Sequence, residues 1–245
     1  MSHRAALLLA PVLVGACTTA TEANESAPFR SIDTNPESAF VAIIAPNGDP
    51  DYVCSGVVIA PRVVLTAGHC FKGGNYDKTG WKFEVVLGPN ARDANAIHVA
   101  LEPHLHPDWL SDRMRADGSE ADIAVGLAAE DLRIEPAHWA SSAPPASIVG
   151  GAARYAGFGA HTTAAKGHRH VESAKVASLR VDVVDMTADP SPCHGDSGGP
   201  LLVRIADVET VIGIGHTAQG DGAEGCMIGA DYTRADFFAD FIRSF

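Results

Sequence analysis

The stretch Cys193-His194-Gly195-Asp196-Ser197-Gly198-Gly199-Pro200 decides how this chain is read. A serine flanked by glycines, with an aspartate directly before it, suits a nucleophile on a sharp turn. The glycines admit unusual φ/ψ and let a carbonyl come close to the backbone. The N–H groups of Gly195 and Ser197 can then point at one spot, where a tetrahedral oxyanion would form. A glycine turn with no chemistry is the plain alternative.

The five residues Gly195 to Gly199 also satisfy G-x-S-x-G, the nucleophile elbow of α/β-hydrolases. That elbow requires a helix directly after the serine, whereas Pro200-Leu201-Leu202-Val203 reads as a strand. It also requires an Asp and then a His downstream, and only 48 residues remain for both. The octapeptide resembles instead the active-serine motif of trypsin/chymotrypsin-like serine proteases, with Cys193 where that family places a disulfide.

Two upstream motifs strengthen the resemblance. The strand Val63-Val64-Leu65-Thr66 runs into Ala67-Gly68-His69-Cys70, which is similar to the family's T-A-A-H-C, with Gly68 for the second alanine. Ala121-Asp122-Ile123-Ala124-Val125 resembles its D-I-A-L motif. Each has a bland reading, a structural histidine and a strand-start aspartate. The order His69, Asp122, Ser197 is nevertheless the family's order. The resemblance implies a triad of those three residues and an oxyanion hole from Gly195 and Ser197. It also implies the disulfides Cys54–Cys70, worth ~3 kcal/mol, and Cys193–Cys226.

Working outward, the 245 residues accommodate one two-lobed unit or two small domains. A hydrophobic content of 46% with 20% charged residues is that of an ordinary globular protein. The net charge of −12 argues against nucleic acid or an anionic membrane surface as a partner. At the start, Met1-Ser2-His3-Arg4 is basic and Ala5 to Val14 is an apolar run of signal-peptide length, too short to span. Leu13-Val14-Gly15-Ala16-Cys17 resembles a bacterial lipobox, with Cys17 as the lipidated residue. Removing Cys17 from the five cysteines leaves four, an even number for an exported protein. An ordinary signal cleaved near Ala16 or Ala20 is the alternative. These features predict a signal peptide over 1–17, a flexible tether or pro-segment over 18–30, and a protease domain over 31–245. The protein is expected in the cell envelope by its lipid anchor, or secreted after cleavage near Arg30.

Within 31–245, strands are expected at Phe40 to Ile44, Val53 to Ile59, Val63 to Thr66, Lys82 to Leu87 and Ile97 to Leu101. His104 and His106 read as loop histidines open to solvent. Residues 130–145, rich in Ala, Ser and Pro, read as the connection between lobes. Lys175 to Val184 reads as a strand pair at most, with strands again at Leu201 to Ile205 and Val211 to Ile214. Thr233-Arg234-Ala235-Asp236 reads as a capping box opening a helix over 233–245, with Phe237, Phe238, Phe241, Ile242 and Phe245 on one face. The family resemblance implies an all-β fold of two six-stranded antiparallel barrels, about 31–130 and about 146–232, with the active site between them. No internal repeat is visible.

The resemblance further implies a serine endopeptidase acting on protein or peptide substrates, as a monomer, with no cofactor and no metal. His161, His168 and His170 have no carboxylate or cysteine completing a ligand set. Counting back from Ser197 places Ser191 at the base of the primary pocket, with Ala218 and Ala230 on its walls. Trypsin-like members carry an aspartate at the base. Ser191 and the two methyl groups therefore predict cleavage after small or medium neutral residues, with an acidic preference through His194 and His216 as the competing idea. A second departure is His216, which stands where the family has a serine near its triad. A third is the absence of an I-V-G-G start near residue 30, whose freed ammonium would pair with Asp196. Either the chain is cut near Arg30, or Asp196 finds another partner. The rival function is a catalytically silent homologue serving as a surface binding module.

Overall fold

The computed structural model describes residues 31–73, 77–110, 121–160, 165–219 and 229–245. Cys17, Arg30, His161 and Cys226 lie outside them, as do the side chains of 217–219. Among the described residues no helix is long and apolar enough to cross a membrane.

Six strands form the first barrel: β1 (Phe40–Ile44), β2 (Cys54–Ala60), β3 (Val63–Thr66), β4 (Phe83–Leu87), β5 (Ile97–Leu105) and β6 (Ala124–Ala128). They are rich in Val and Ile, whose branched side chains fit a half-buried pleated surface. β1 pairs with both β2 and β4, so the order β1-β2-β3-β6-β5-β4 closes on itself. Ile43, Val85 and Val99 meet in register on one buried face of this sheet, and Val57, Leu65 and Val125 on the other.

After the connection come β8 (Ala152–Gly157), β9 (His170–Leu179), β10 (Val183–Thr187), β11 (Pro200–Ile205), β12 (Val208–Gln219) and β13 (Gly229–Arg234). They are ordered β11-β8-β9-β10-β13-β12, and a further β11–β12 pairing closes the second barrel. Both barrels are antiparallel and share one topology: the first, second and third strands, then the sixth, fifth and fourth. The repeat is therefore one of chain path, with no trace in the residues. Tyr155, Val176, Met186, Leu201, Ile212 and Tyr232 pack the second core.

Three expectations need correction. The connection at 130–145 contains a short strand, β7 (His138–Trp139), laid parallel on β12. The region of Lys175 to Val184 belongs to two full barrel strands, β9 and β10, hydrogen-bonded to one another across a bulge at Asp185/Met186. The closing helix is limited to one turn, α2 (Ala239–Ile242). Thr233 lies in β13 opposite Val183, and the Asp236 carboxylate accepts from Arg234 at 2.7 Å. Strand pairing thus overrides the capping pattern there. Phe238 and Ile242 bury against the first barrel, while Phe237 and Phe245 are exposed.

The same segment corrects His104 and His106. His106 packs against the rings of Phe238 and Phe241, each 5.1 Å away. His104 lies against Phe245 at 4.8 Å with the rings tilted. Both imidazoles are thus partly covered by the C-terminal aromatics, which sequence distance conceals.

Candidate active site

β3 ends in a single 3-10 turn, Gly68–Cys70, that carries His69. Two bonds fix this turn to Asp122. The His69 backbone N–H donates to Oδ1 at 2.7 Å, and Nδ1 lies 2.6 Å from Oδ2. Because a carboxylate only accepts, Nδ1 carries the proton and Nε2 is left as the basic atom. Asp122 is wholly buried. Burial pushes its pKa up, but His69, His216 and the His69 N–H together outweigh that and hold it below the usual carboxylate range.

The expected disulfide and two supports unforeseen in the sequence surround this turn. The Cys54–Cys70 disulfide joins β2 to it, with the two Cα atoms 6.1 Å apart. Lys78 Nζ donates to the carbonyls of His69 at 2.7 Å and Gly73 at 2.6 Å. Trp109, in the short helix α1 (Pro107–Leu110), covers Gly68, where an added Cβ would fall 2.7 Å from the indole. That contact explains glycine in place of the family's alanine.

His216 sits at the bulge between Gly215 and Thr217, where β12 has one residue more than β13. Bulges of this kind re-aim a side chain. Here Nε2 of His216 comes to 3.5 Å from Asp122 Oδ2, so the carboxylate faces two histidines. His194, the other histidine invoked for an acidic pocket, is exposed.

The serine loop lies against the first barrel. The Ser55 N–H donates to the Ser197 carbonyl at 2.7 Å, and Cys70 Sγ is 3.6 Å from the same oxygen. Ser55 Oγ donates to the Gly195 carbonyl at 2.8 Å and accepts from the Phe158 N–H at 2.9 Å. Gly195 and Gly198 take φ of +109° and +81°. At Gly198 a Cβ would collide with Thr66 Oγ1 and the Ser55 carbonyl, so only glycine fits. Among the described residues, no acceptor is paired with the N–H of Gly195 or Ser197. Their donors are thus free for an oxyanion.

Of the proposed pocket, Ser191 is buried and its Oγ donates to the Ala188 carbonyl at 2.6 Å. Ala230 is buried in β13 and pairs with Met186 on one side and Ala218 on the other. Cys193 is disulfide-bonded; Cys226, its expected partner, lies outside the described residues. His168 and His170 are employed separately. Nδ1 of His168 is 3.2 Å from the Ala165 carbonyl, while His170 faces Asp196. The described grouping of ligand-type atoms comprises Cys54, His69 and Cys70, but both of its sulfurs are committed to the disulfide.

Comparison with known proteins agrees with this geometry. Residues 30–242 match the family model Trypsin. Similar curated proteins include serine protease Hayan of Drosophila melanogaster, 29% identical over 83% of this chain and 36% of the relative. Brachyurin of Leptuca pugilator is 28% identical over 80% of this chain and 88% of its own length. Serine protease 56 of Mus musculus is 27% identical over 78% of this chain and 34% of the relative. The chain thus spans about a third of the length of Hayan and of serine protease 56, and most of brachyurin. With His69 and Asp122 paired beside a serine loop whose amides are free, and with this match over nearly the whole described domain, the chain belongs to the trypsin family of serine proteases.

Proposed function

We propose that this protein is a serine endopeptidase that cleaves after small or medium neutral residues. The observation that carries the reading is the doubly bonded His69–Asp122 pair, which leaves Nε2 of His69 as a base. A serine hydroxyl is a weak nucleophile until a base takes its proton as it reacts. In this mechanism Ser197 Oγ attacks the peptide carbonyl and His69 takes the proton. His69 then gives it to the leaving amine. Asp122 fixes the tautomer and stabilises the imidazolium without becoming protonated. The Gly195 and Ser197 N–H groups receive the oxyanion, and water repeats the sequence on the acyl-enzyme. Each step is an acyl or proton transfer among these groups, so no metal or organic cofactor is required.

Ser191 at the pocket base supplies no charge for a substrate guanidinium, and burying one unpaired is strongly disfavoured. His216 is directed at Asp122, which favours the neutral over the acidic preference. For the leader, the reading remains export with Cys17 as the lipidated residue or with cleavage near Arg30, tested by mass analysis of the mature amino terminus.

Labelling with a serine-directed fluorophosphonate tests the activity. Wild type should label and Ser197→Ala should not. Ser197→Ala and His69→Ala should each cut peptide turnover by roughly 10⁴ to 10⁶, with the double variant little worse. Failure of the wild type to label would favour the silent binding homologue.

A further inference from the structure

Asp196 directly precedes Ser197, and only 3% of it is exposed. Its carboxylate is held from three sides. Oδ1 accepts from the Gly159 N–H at 2.7 Å and lies 2.8 Å from His170 Nε2. Oδ2 accepts from the Cys193 N–H at 2.8 Å. Since the carboxylate can only accept, His170 donates through Nε2–H. The two side chains are 3% and 2% exposed, so this is a buried pair. Removing one member of such a pair leaves the other uncompensated.

His170 begins β9 opposite Gly157 and meets Tyr155 edge-on at 5.7 Å. Burial raises the phenol pKa of Tyr155 and of Tyr232, and the charge of Asp196 adds to both. Tyr155 and Tyr232 thus line the surroundings of Asp196, and His170 is the side chain whose nitrogen reaches its carboxylate. The main chain flanking Asp196 carries both free amides, those of Gly195 and Ser197. Wherever the carboxylate is anchored, those amides are anchored too. The donors to Asp196 are the Gly159 N–H, His170 and the Cys193 N–H, all within the protease domain itself.

We propose that His170 is the positioning residue of the oxyanion site, anchoring Asp196 so that the serine loop holds its working shape in the uncut chain. This rests on the endopeptidase reading above. Of the two outcomes open in the sequence, an internal partner takes the place of a freed amino terminus.

The test uses the full chain with Arg30→Gln, so that it stays uncut, and compares His170 with His170→Gln and His170→Asn. Glutamine sets its amide nitrogen near the position of Nε2, while asparagine is one methylene too short to reach. Two readouts are taken: the fluorophosphonate labelling rate of Ser197, and amide hydrogen exchange across 193–199. Loss of oxyanion donors costs about 10²–10³ in rate. His170→Asn should therefore label about 10²-fold more slowly and lose exchange protection in that loop, with KM for a peptide little changed. His170→Gln should recover most of both. Unchanged labelling and exchange in His170→Asn would overturn the proposal. So would a wild type that labels only after cleavage following Arg30. Should neither cut nor uncut wild type label, the peptidase reading fails, and the exchange data still decide whether His170 positions the loop. If His170→Asn does not fold, wild-type-like behaviour of His170→Gln supports the role, and slow labelling with lost protection counts against it.

Discussion

Nε2 of His216 lies 3.5 Å from the Asp122 oxygen that His69 Nδ1 approaches to 2.6 Å. One buried carboxylate thus serves two imidazoles, from opposite barrels. Replacing His216→Ser removes one of the two imidazoles that face the carboxylate, while both bonds from His69 to Asp122 stay in place. Peptide turnover should therefore stay within a few-fold of wild type, as steady-state kinetics would show. A large fall in kcat would mean that His216 is needed to hold Asp122 against His69.

Asp122 also makes stability depend on acid. Its folded pKa is depressed, net of the burial that raises it. The contribution is therefore fully present above the unfolded value of about 3.9. It is lost as pH falls through the lower folded value. In Asp122→Asn, the fall in thermal midpoint below about pH 4 should be shallower than in wild type. Activity should drop about 10⁴-fold, because the amide sets the wrong tautomer on His69. Melting curves from pH 2 to 7 measure the first effect, and peptide turnover the second.

Ser55 supplies the third prediction. Its hydroxyl joins the Gly195 carbonyl to the Phe158 N–H, and its own N–H holds the Ser197 carbonyl. Ser55→Ala leaves two buried groups of the serine loop and β8 turn without that partner. Destabilisation by about 1–3 kcal/mol follows for each group left unsatisfied. Because the Gly195 peptide carries an oxyanion donor, kcat should fall more than KM rises. A denaturant melt together with steady-state kinetics checks both. Loss of stability with kinetics unchanged would make Ser55 structural only.

These supports mark where the sequence could be read and where it could not. His69, Asp122 and Ser197 stood out because each sits in a local motif a few residues long. β1 and β3 were legible to the residue because their apolar runs are bounded by turn formers. Ser55, Lys78 and His170 act across 140, 9 and 26 residues of chain, and Trp109 donates to the Lys72 carbonyl across 37; none of the four stands out by a motif of its own. β13 escaped because Gly229–Arg234 carries no apolar alternation, being held by ladders on both sides. The expected helix at 233–245 shrank for the same reason. A capping pattern of about 1 kcal/mol cannot compete with a paired barrel strand.

The last prediction concerns the pocket. Ser191 is buried and its hydroxyl is turned to the Ala188 carbonyl, so it brings neither charge nor a free donor to a substrate. Ser191→Asp places a carboxylate at the proposed base, where a substrate guanidinium or ammonium could pair with it. Leaving one partner of a buried pair alone costs about 3–5 kcal/mol, or roughly 10²–10⁴ in rate. Peptides with Arg or Lys before the scissile bond should gain by a factor of that order, while those with Ala, Val, Leu or Met lose. The gain should be larger when Ala230→Gly is added, if the methyl of Ala230, buried in β13, stands on the proposed pocket wall. A positional peptide library on wild type and both variants measures this directly. Wild type leading with arginine or lysine would overturn the pocket assignment. Glutamate in the lead would mean that His194 or His216, despite the latter's approach to Asp122, lends its charge to the substrate.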